Sequence, residues 1–129
     1  TFTQVADIAF AEAQNPNVYW CLCPQANLYI EHALPDVDLL RKSTVKITLG
    51  TDSLASNQQL NILAEMITLQ EQKQVPFEEL LRWATYNGAQ FLGVEDQLGS
   101  IEVGKRPGLN LIQISADWEI LNDQVEKII

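Results

Sequence analysis

The sequence predicts an α/β fold in which parallel strands alternate with helices. Residues 18–23, Val-Tyr-Trp-Cys-Leu-Cys, form a short, nearly continuous apolar run of strand-forming types, the pattern of a strand covered on both faces. Residues 45–49, Val-Lys-Ile-Thr-Leu, read as a second strand closed by Gly50, and a short helical stretch lies between the two. Strand, helix and strand in that order make a βαβ unit, for which parallel strands and a right-handed crossover are the economical arrangement.

The elements follow in chain order. Residues 3–13 place Val5, Ile8 and Ala9 at helical spacing, widened by Phe10 and Ala13, with Thr3 as the expected cap and Asn15-Pro16-Asn17 as the stop. Pro24 is expected to end the first strand, and residues 25–35 to form a longer connection. Residues 36–42 then suit a short crossover helix through Val37, Leu40 and Arg41. After the second strand, residues 57–74 carry a helical stripe of Leu60, Leu63, Ala64, Ile67 and Leu69. Pro76 opens a further helix through Leu80, Leu81, Ala84 and Ala89. From Gly99 the texture changes: Gly99, Gly104 and Gly108 punctuate short apolar segments, and residues 109–114 and 124–129 read as strands. A boundary is expected at 93–99, giving one unit over 1–98 and a small β-rich unit over 99–129.

Composition narrows the function. With 47% hydrophobic and 19% charged residues the chain can bury a core. Eight Lys and Arg against seventeen Asp and Glu give a net charge of -9, which repels nucleic-acid phosphates and anionic membrane surfaces. No apolar run approaches the roughly 20 residues of a membrane span and no basic-then-apolar leader is visible, so the default location is the cytoplasm. Cys21 and Cys23 are the only cysteines and would project to the same side of a strand. With a single histidine, His32, as further partner, they are read as buried, reduced strand residues rather than zinc ligands. His32 is read as a solvent-facing or locally bonded loop residue, with substrate contact as the alternative.

The segment that carries chemistry is Ile47-Thr48-Leu49-Gly50-Thr51-Asp52-Ser53, a strand ending abruptly in a glycine and then a carboxylate. In an α/β barrel, residues just past a strand's C-terminal end face the active-site mouth. An Asp there is also a common helix cap or turn residue. Position alone leaves both readings open.

Three segments resemble the amidohydrolase family, in the branch that holds cytosine, guanine and adenosine-type deaminases and triazine chlorohydrolases. Leu49-Gly50-Thr51-Asp52-Ser53 with Leu54-Ala55-Ser56-Asn57 is similar to that branch's strand-eight segment. Cys23-Pro24-Gln25-Ala26-Asn27-Leu28 is similar to the Cys-Pro-x-Ser-Asn segment ending strand seven, with Ala26 in place of Ser. Ala84-Thr85-Tyr86-Asn87-Gly88-Ala89 and Leu98-Gly99-Ser100-Ile101-Glu102-Val103-Gly104-Lys105-Arg106 resemble the closing helix and the return into a small β-domain. Pro107-Gly108 stands where the family continues Ala-Asp, which implies altered local hydrogen bonding and unchanged chemistry.

The resemblance implies the C-terminal part of a (β/α)8 barrel, about the last two strands with their helices, since 129 residues fall well short of the roughly 250 of a whole barrel. It makes Asp52 a metal-site and catalytic residue, with Asn27, Ser53, Ser56 and Asn57 as substrate contacts. It also implies a divalent metal, zinc first and iron second, that activates water to deaminate a heterocycle or nucleoside, dechlorination being the lesser alternative. The family's other ligands, a His-x-His pair, later histidines and in some members a Lys, have no counterpart here. Thr1-Phe2-Thr3 resembles sequence that follows strand six, so the chain is expected to begin past the last histidine ligand and to turn over nothing alone. A barrel cut there leaves uncovered edges, which favours a homo-oligomer. The contrasting expectation is a non-catalytic α+β binding or assembly module in which Asp52 only caps a helix. Histidines upstream of residue 1 separate the two.

Overall fold

The computed structural model describes residues 2–129, so Thr1, part of the segment compared above, lies outside the described residues. The elements run α1 (Val5–Gln14), β1 (Tyr19–Leu22), α2 (Pro24–Glu31), α3 (Val37–Lys42), β2 (Lys46–Leu49), α4 (Ile62–Lys73), α5 (Phe77–Ala84), α6 (Tyr86–Leu92), β3 (Asn110–Leu111) and β4 (Glu126–Lys127). β1 and β2 pair in parallel, Tyr19 beside Lys46 through Leu22 beside Leu49, as the βαβ pattern predicts. The Gly50 N–H extends the ladder by donating to the Leu22 carbonyl at 2.9 Å.

Several elements depart from expectation. Pro24 does not end ordered structure but opens α2 as its first residue, where a proline's missing N–H costs nothing and its fixed φ suits a helix. The helix expected from residue 57 starts at Ile62, because the Asn61 side chain accepts the Leu63 N–H at 3.0 Å and caps it there. Leu60, counted on its stripe, is exposed. The helix after Pro76 is two helices, broken at Thr85 with φ -123° and ψ -80°. At the start, Gln4 rather than Thr3 caps α1, and Asp7 closes the box by accepting the Gln4 N–H at 2.8 Å. Ile8 is the buried residue of α1, while Val5 and Phe10 are exposed.

The core gathers on the side of the two strands where α3, α4 and α5 lie. Leu22, Ile47 and Leu49 pack with Val37, Leu40, Leu63, Met66, Leu69, Val75, Phe77, Leu80 and Trp83. Fully burying side chains such as Leu40, Leu69 and Leu80 stabilises by about 1.5–3 kcal/mol each. Two polar contacts lock β2 onto the following helices. Asn87 Nδ2 donates to the Ile47 carbonyl at 2.7 Å, and Thr48 Oγ1 donates to the Trp83 carbonyl at 3.2 Å.

Beyond residue 98 the expected strands shrink to antiparallel pairs of two residues, Asn110 beside Lys127 and Leu111 beside Glu126, plus a bridge between Ile114 and Ile120. Side-chain contacts to α4 and its approach take over from the ladder. Ile120 is buried in the core and its N–H donates to Gln70 Oε1 at 2.8 Å, Gln70 Nε2 donates to the Trp118 carbonyl, and Asn61 Nδ2 donates to the Asp123 carbonyl. Among the described residues no helix is long and apolar enough to cross a membrane.

Candidate active site

Asp52 follows the C-terminal end of β2 by three residues and adopts φ 58°, a left-handed conformation that Asp tolerates better than most side chains. That reversal turns the chain out of the strand into the segment 51–57. The Ser56 hydroxyl donates to Asp52 Oδ2 at 2.7 Å, fixing an otherwise exposed carboxylate, and the Ser56 N–H donates to the Ser53 carbonyl at 3.0 Å. No helix starts at Asp52: the cap of α4 is Asn61, nine residues on. A helix-capping role for Asp52 is therefore excluded.

The segment is tied down from below by a buried amide. Asn57 Nδ2 donates to the Thr51 carbonyl at 2.8 Å and to Glu65 Oε1 at 2.7 Å, while its Oδ1 accepts the Gln59 N–H at 3.2 Å. Glu65 is fully buried on α4 and its second oxygen accepts the Gln25 N–H, at the start of α2, at 2.8 Å. One carboxylate thus joins α2, α4 and the Asp52 segment. Burial pushes its pKa up, and the bonds from Gln25 and Asn57 pull the other way. Sequence reading missed Glu65. The available signal was an acidic residue in the middle of the apolar helix Leu63-Ala64-Glu65-Met66, where an unpaired charge would be untenable.

The other expected site residues are distributed as follows. Ser53 is exposed in the turn and its Oγ accepts the Ala55 N–H at 3.3 Å. Asn27 lies half-buried in the first turn of α2, with Nδ2 donating to Glu31 Oε2 at 3.3 Å. Ala26 is buried, so its methyl group packs where a hydroxyl would need a partner. His32 ends α2 in a left-handed conformation, exposed, with its backbone N–H donating to the Leu28 carbonyl. The structure brings Asp52, Ser53, Ser56 and Asn57 into one turn.

Cys21 and Cys23 are both free, but Cys21 is exposed and Cys23 only half-buried, against the expectation of buried thiols. On that face α6 meets Tyr19 through Phe91 and Thr48 through Gly88, while Cys21 keeps its exposure. The Cys23 thiol donates to Cys21, which lowers the Cys21 pKa to about 7, and the same contact together with burial pushes Cys23 up.

A divalent ion would find one fitting donor here. Asp52 is an exposed carboxylate at a strand end, a hard oxygen ligand suited to such ions. Among the described residues no group of three or more His, Cys, Asp or Glu side chains could hold a metal. The donor chemistry of Asp52 fits one corner of a metal site, and the described residues do not complete one.

Comparison with known proteins gives this geometry a context. A family model described as the amidohydrolase family matches residues 1–128. A 5-methylthioadenosine/S-adenosylhomocysteine deaminase of Desulforudis audaxviator is 36% identical over 100 residues, which is 71% of this chain and 23% of that protein. An adenosine deaminase from Xanthomonas campestris, solved with bound zinc, superposes with a TM-score of 0.74 at 31% identity over 90% of this chain and 28% of its own. E. coli guanine deaminase superposes with a TM-score of 0.70 at 22% identity, over 86% of this chain and 27% of its own, a likeness of fold. The chain spans about a quarter of the length of these proteins, and its mixed α/β architecture corresponds to part of theirs.

Proposed function

The chain belongs to the amidohydrolase family, and from that membership we propose that it is the C-terminal portion of a metal-dependent barrel hydrolase that deaminates an aminated heterocycle or nucleoside. In this reading β1 and β2 are the last two strands of a (β/α)8 barrel, residues 1–98 complete the barrel and residues 99–129 enter a small β-domain. The observation that carries it is the Asp52 carboxylate, turned out at the end of β2 with Oδ2 fixed by the Ser56 hydroxyl. The deaminase identity of the relatives supports the reaction class.

Asp52 would hold one side of a divalent ion, zinc before iron, whose other donors lie outside this chain. Such an ion, when bound, supplies the Lewis acidity that brings the pKa of water toward neutrality. The Asp52 carboxylate takes the proton from the attacking water as general base and returns it to the departing amine as general acid. Ser56 keeps that carboxylate in one rotamer, and Asn57 keeps the turn beneath it closed. Ser53, in the turn after β2, and Asn27, in the first turn of α2, would contact the substrate, a small heterocycle. The highly acidic chain is not a partner for nucleic acid or an anionic membrane. A homo-oligomer acting in the cytoplasm completes the proposal.

The test is ammonia release by the whole parent protein against aminated purines, pyrimidines and nucleosides. At least one substrate should be deaminated, and Asp52→Asn should remove about three orders of magnitude or more of the rate while leaving the fold intact. The isolated 129 residues should show no metal-dependent turnover. Full activity in Asp52→Asn, or a parent without histidine ligands upstream, would end the proposal.

A further inference from the structure

The geometry points to a second site that the deamination chemistry does not use: Cys21 and Cys23 form a two-thiol clamp for trivalent arsenicals, and its occupation releases the Asp52 turn. Cys21 lies on β1 and Cys23 follows the end of that strand as the cap of α2, and the sulfurs of both border Gly50. Thr48 is the β2 residue beside Cys21, and Gly50, just past the end of β2, has no side chain to stand between the two sulfurs. A Cβ there would sit 2.7 Å from Cys21 Sγ and 3.2 Å from Cys23 Sγ, so both sulfurs lean into the space that glycine leaves. Both sulfurs thus border one glycine-sized space, and Cys21 is open to solvent within this chain.

The ligand class follows from what the pair can and cannot offer. A tetrahedral zinc site needs four donors, and no third His, Cys, Asp or Glu joins the pair among the described residues. A linear two-coordinate ion needs its sulfurs spread to opposite sides. A pyramidal centre that takes two adjacent sulfurs and brings its own third substituent needs neither, and an organic arsenic(III) oxide has that form. Two As–S bonds form, the As=O bond breaks, and the oxide leaves as water carrying both thiol protons, with no change in oxidation state.

The consequence runs through Gly50, which borders both sulfurs and stands two residues before Asp52. An arsenic atom with its organic substituent takes up the space beside that glycine and displaces the chain that enters the left-handed turn at Asp52. This inhibitory half rests on the reading of Asp52 as catalytic, whereas binding does not.

The experiment titrates the reduced whole parent protein with phenylarsine oxide and reads intact mass, iodoacetamide alkylation mapped by peptide, and activity. The expected result is one equivalent that protects Cys21 and Cys23 together, is removed by a dithiol such as ethanedithiol, and survives the same concentration of a monothiol. Cys21→Ser should lose that equivalent, weaken binding roughly a hundredfold or more through loss of the chelate, and leave the activity insensitive. Cys21→Ala serves the same purpose should the serine variant misfold. Alkylation of either cysteine in the arsenical-bound protein, or an equally tight adduct in Cys21→Ser, overturns the clamp. Full protection with undiminished deamination overturns the inhibitory half alone, and a parent that deaminates nothing while still protecting both thiols refutes the deaminase reading and leaves the clamp standing.

Discussion

Replacing Asn57 by alanine removes the amide that holds the Asp52 segment closed. Its Nδ2 makes two bonds, one to the Glu65 carboxylate at 2.7 Å and one to the Thr51 carbonyl at 2.8 Å. A hydrogen bond to a charged group contributes about 1.5–3 kcal/mol net and one between neutral groups about 0.5–1.5 kcal/mol. Glu65 keeps its bond from the Gln25 N–H, and its carboxyl can take up a proton once Asn57 is gone, so part of the loss is recovered. The expected cost is about 2–3 kcal/mol. Two assays on the parent protein check it: the urea midpoint, and hydrogen exchange at the Ser56 amide, whose acceptor, the Ser53 carbonyl, belongs to the same turn and is untouched by the change, whereas the Gln59 amide loses its acceptor Asn57 Oδ1 outright. Since Asp52 is held in part by this turn, kcat should fall about 10- to 100-fold, the effect of a displacement near 1 Å. Asn57→Asp should be worse at neutral pH than Asn57→Ala, because it sets two carboxylates against each other, and should recover in acid as the pair takes up a proton. A shift under about 0.5 kcal/mol with unchanged amide protection would refute the reasoning.

Three further outcomes are expected. Burial raises the folded-state pKa of Glu65 above the ordinary 4.5, so between those values the folded state binds more protons and stability falls as pH rises through that window. Glu65→Gln should erase that acid-side slope and, because an amide must turn an N–H toward Gln25 or Asn57, cost about 1–3 kcal/mol at neutral pH; a slope that persists in denaturation series at several pH values would refute it. Alkylation of Cys21 should show a midpoint near pH 7 rather than 9.0, and Cys23→Ala, which removes the thiol donor, should move it back up; equal midpoints would contradict the donor's role. Gly99→Ala should cost about 2–4 kcal/mol, because φ is 85° and the new Cβ would meet Ala89 Cβ at 2.6 Å and Tyr86 Cα at 3.1 Å, whereas Gly93→Ala, with φ 67° and nothing within 4 Å, should cost about 1–2; comparable thermal shifts for the two would refute the packing component.

What could be read from sequence was what lies close in sequence. The parallel pair β1 and β2 followed from apolar runs and a closing glycine, and the Asp52 turn from a strand ending in Gly50-Thr51-Asp52. Punctuation residues were harder, since they serve two purposes. In sequence Pro24 reads as a stop, yet at the first position of α2 the same fixed φ starts a helix. Asn57 reads as the start of α4, yet Asn61 is the cap and Asn57 bonds to Thr51 and Glu65 instead. The stripe on α1 has helical spacing, but only Ile8 meets the core, because periodicity reports a helix's shape and not what covers it.

Glu65 stands out in sequence as an acidic residue in an apolar helix, but what satisfies it does not. Its partners Gln25 and Asn57 lie forty positions before it and eight before it, on segments that only the fold brings together. A carboxylate buried without bonds would cost several kcal/mol, so its place on the inner face of α4 is tenable only while both donors are present. The dependence runs both ways: α2 must start at Pro24 for the Gln25 N–H to point inward, and the chain after Asp52 must fold back for Asn57 to reach α4. The exposed carboxylate at the mouth of β2 is thereby positioned by a second carboxylate that never sees solvent. Loss of any one of Gln25's register, Asn57 or Glu65 should disturb Asp52 without touching it, which separates this arrangement from one in which Ser56 alone fixes the turn.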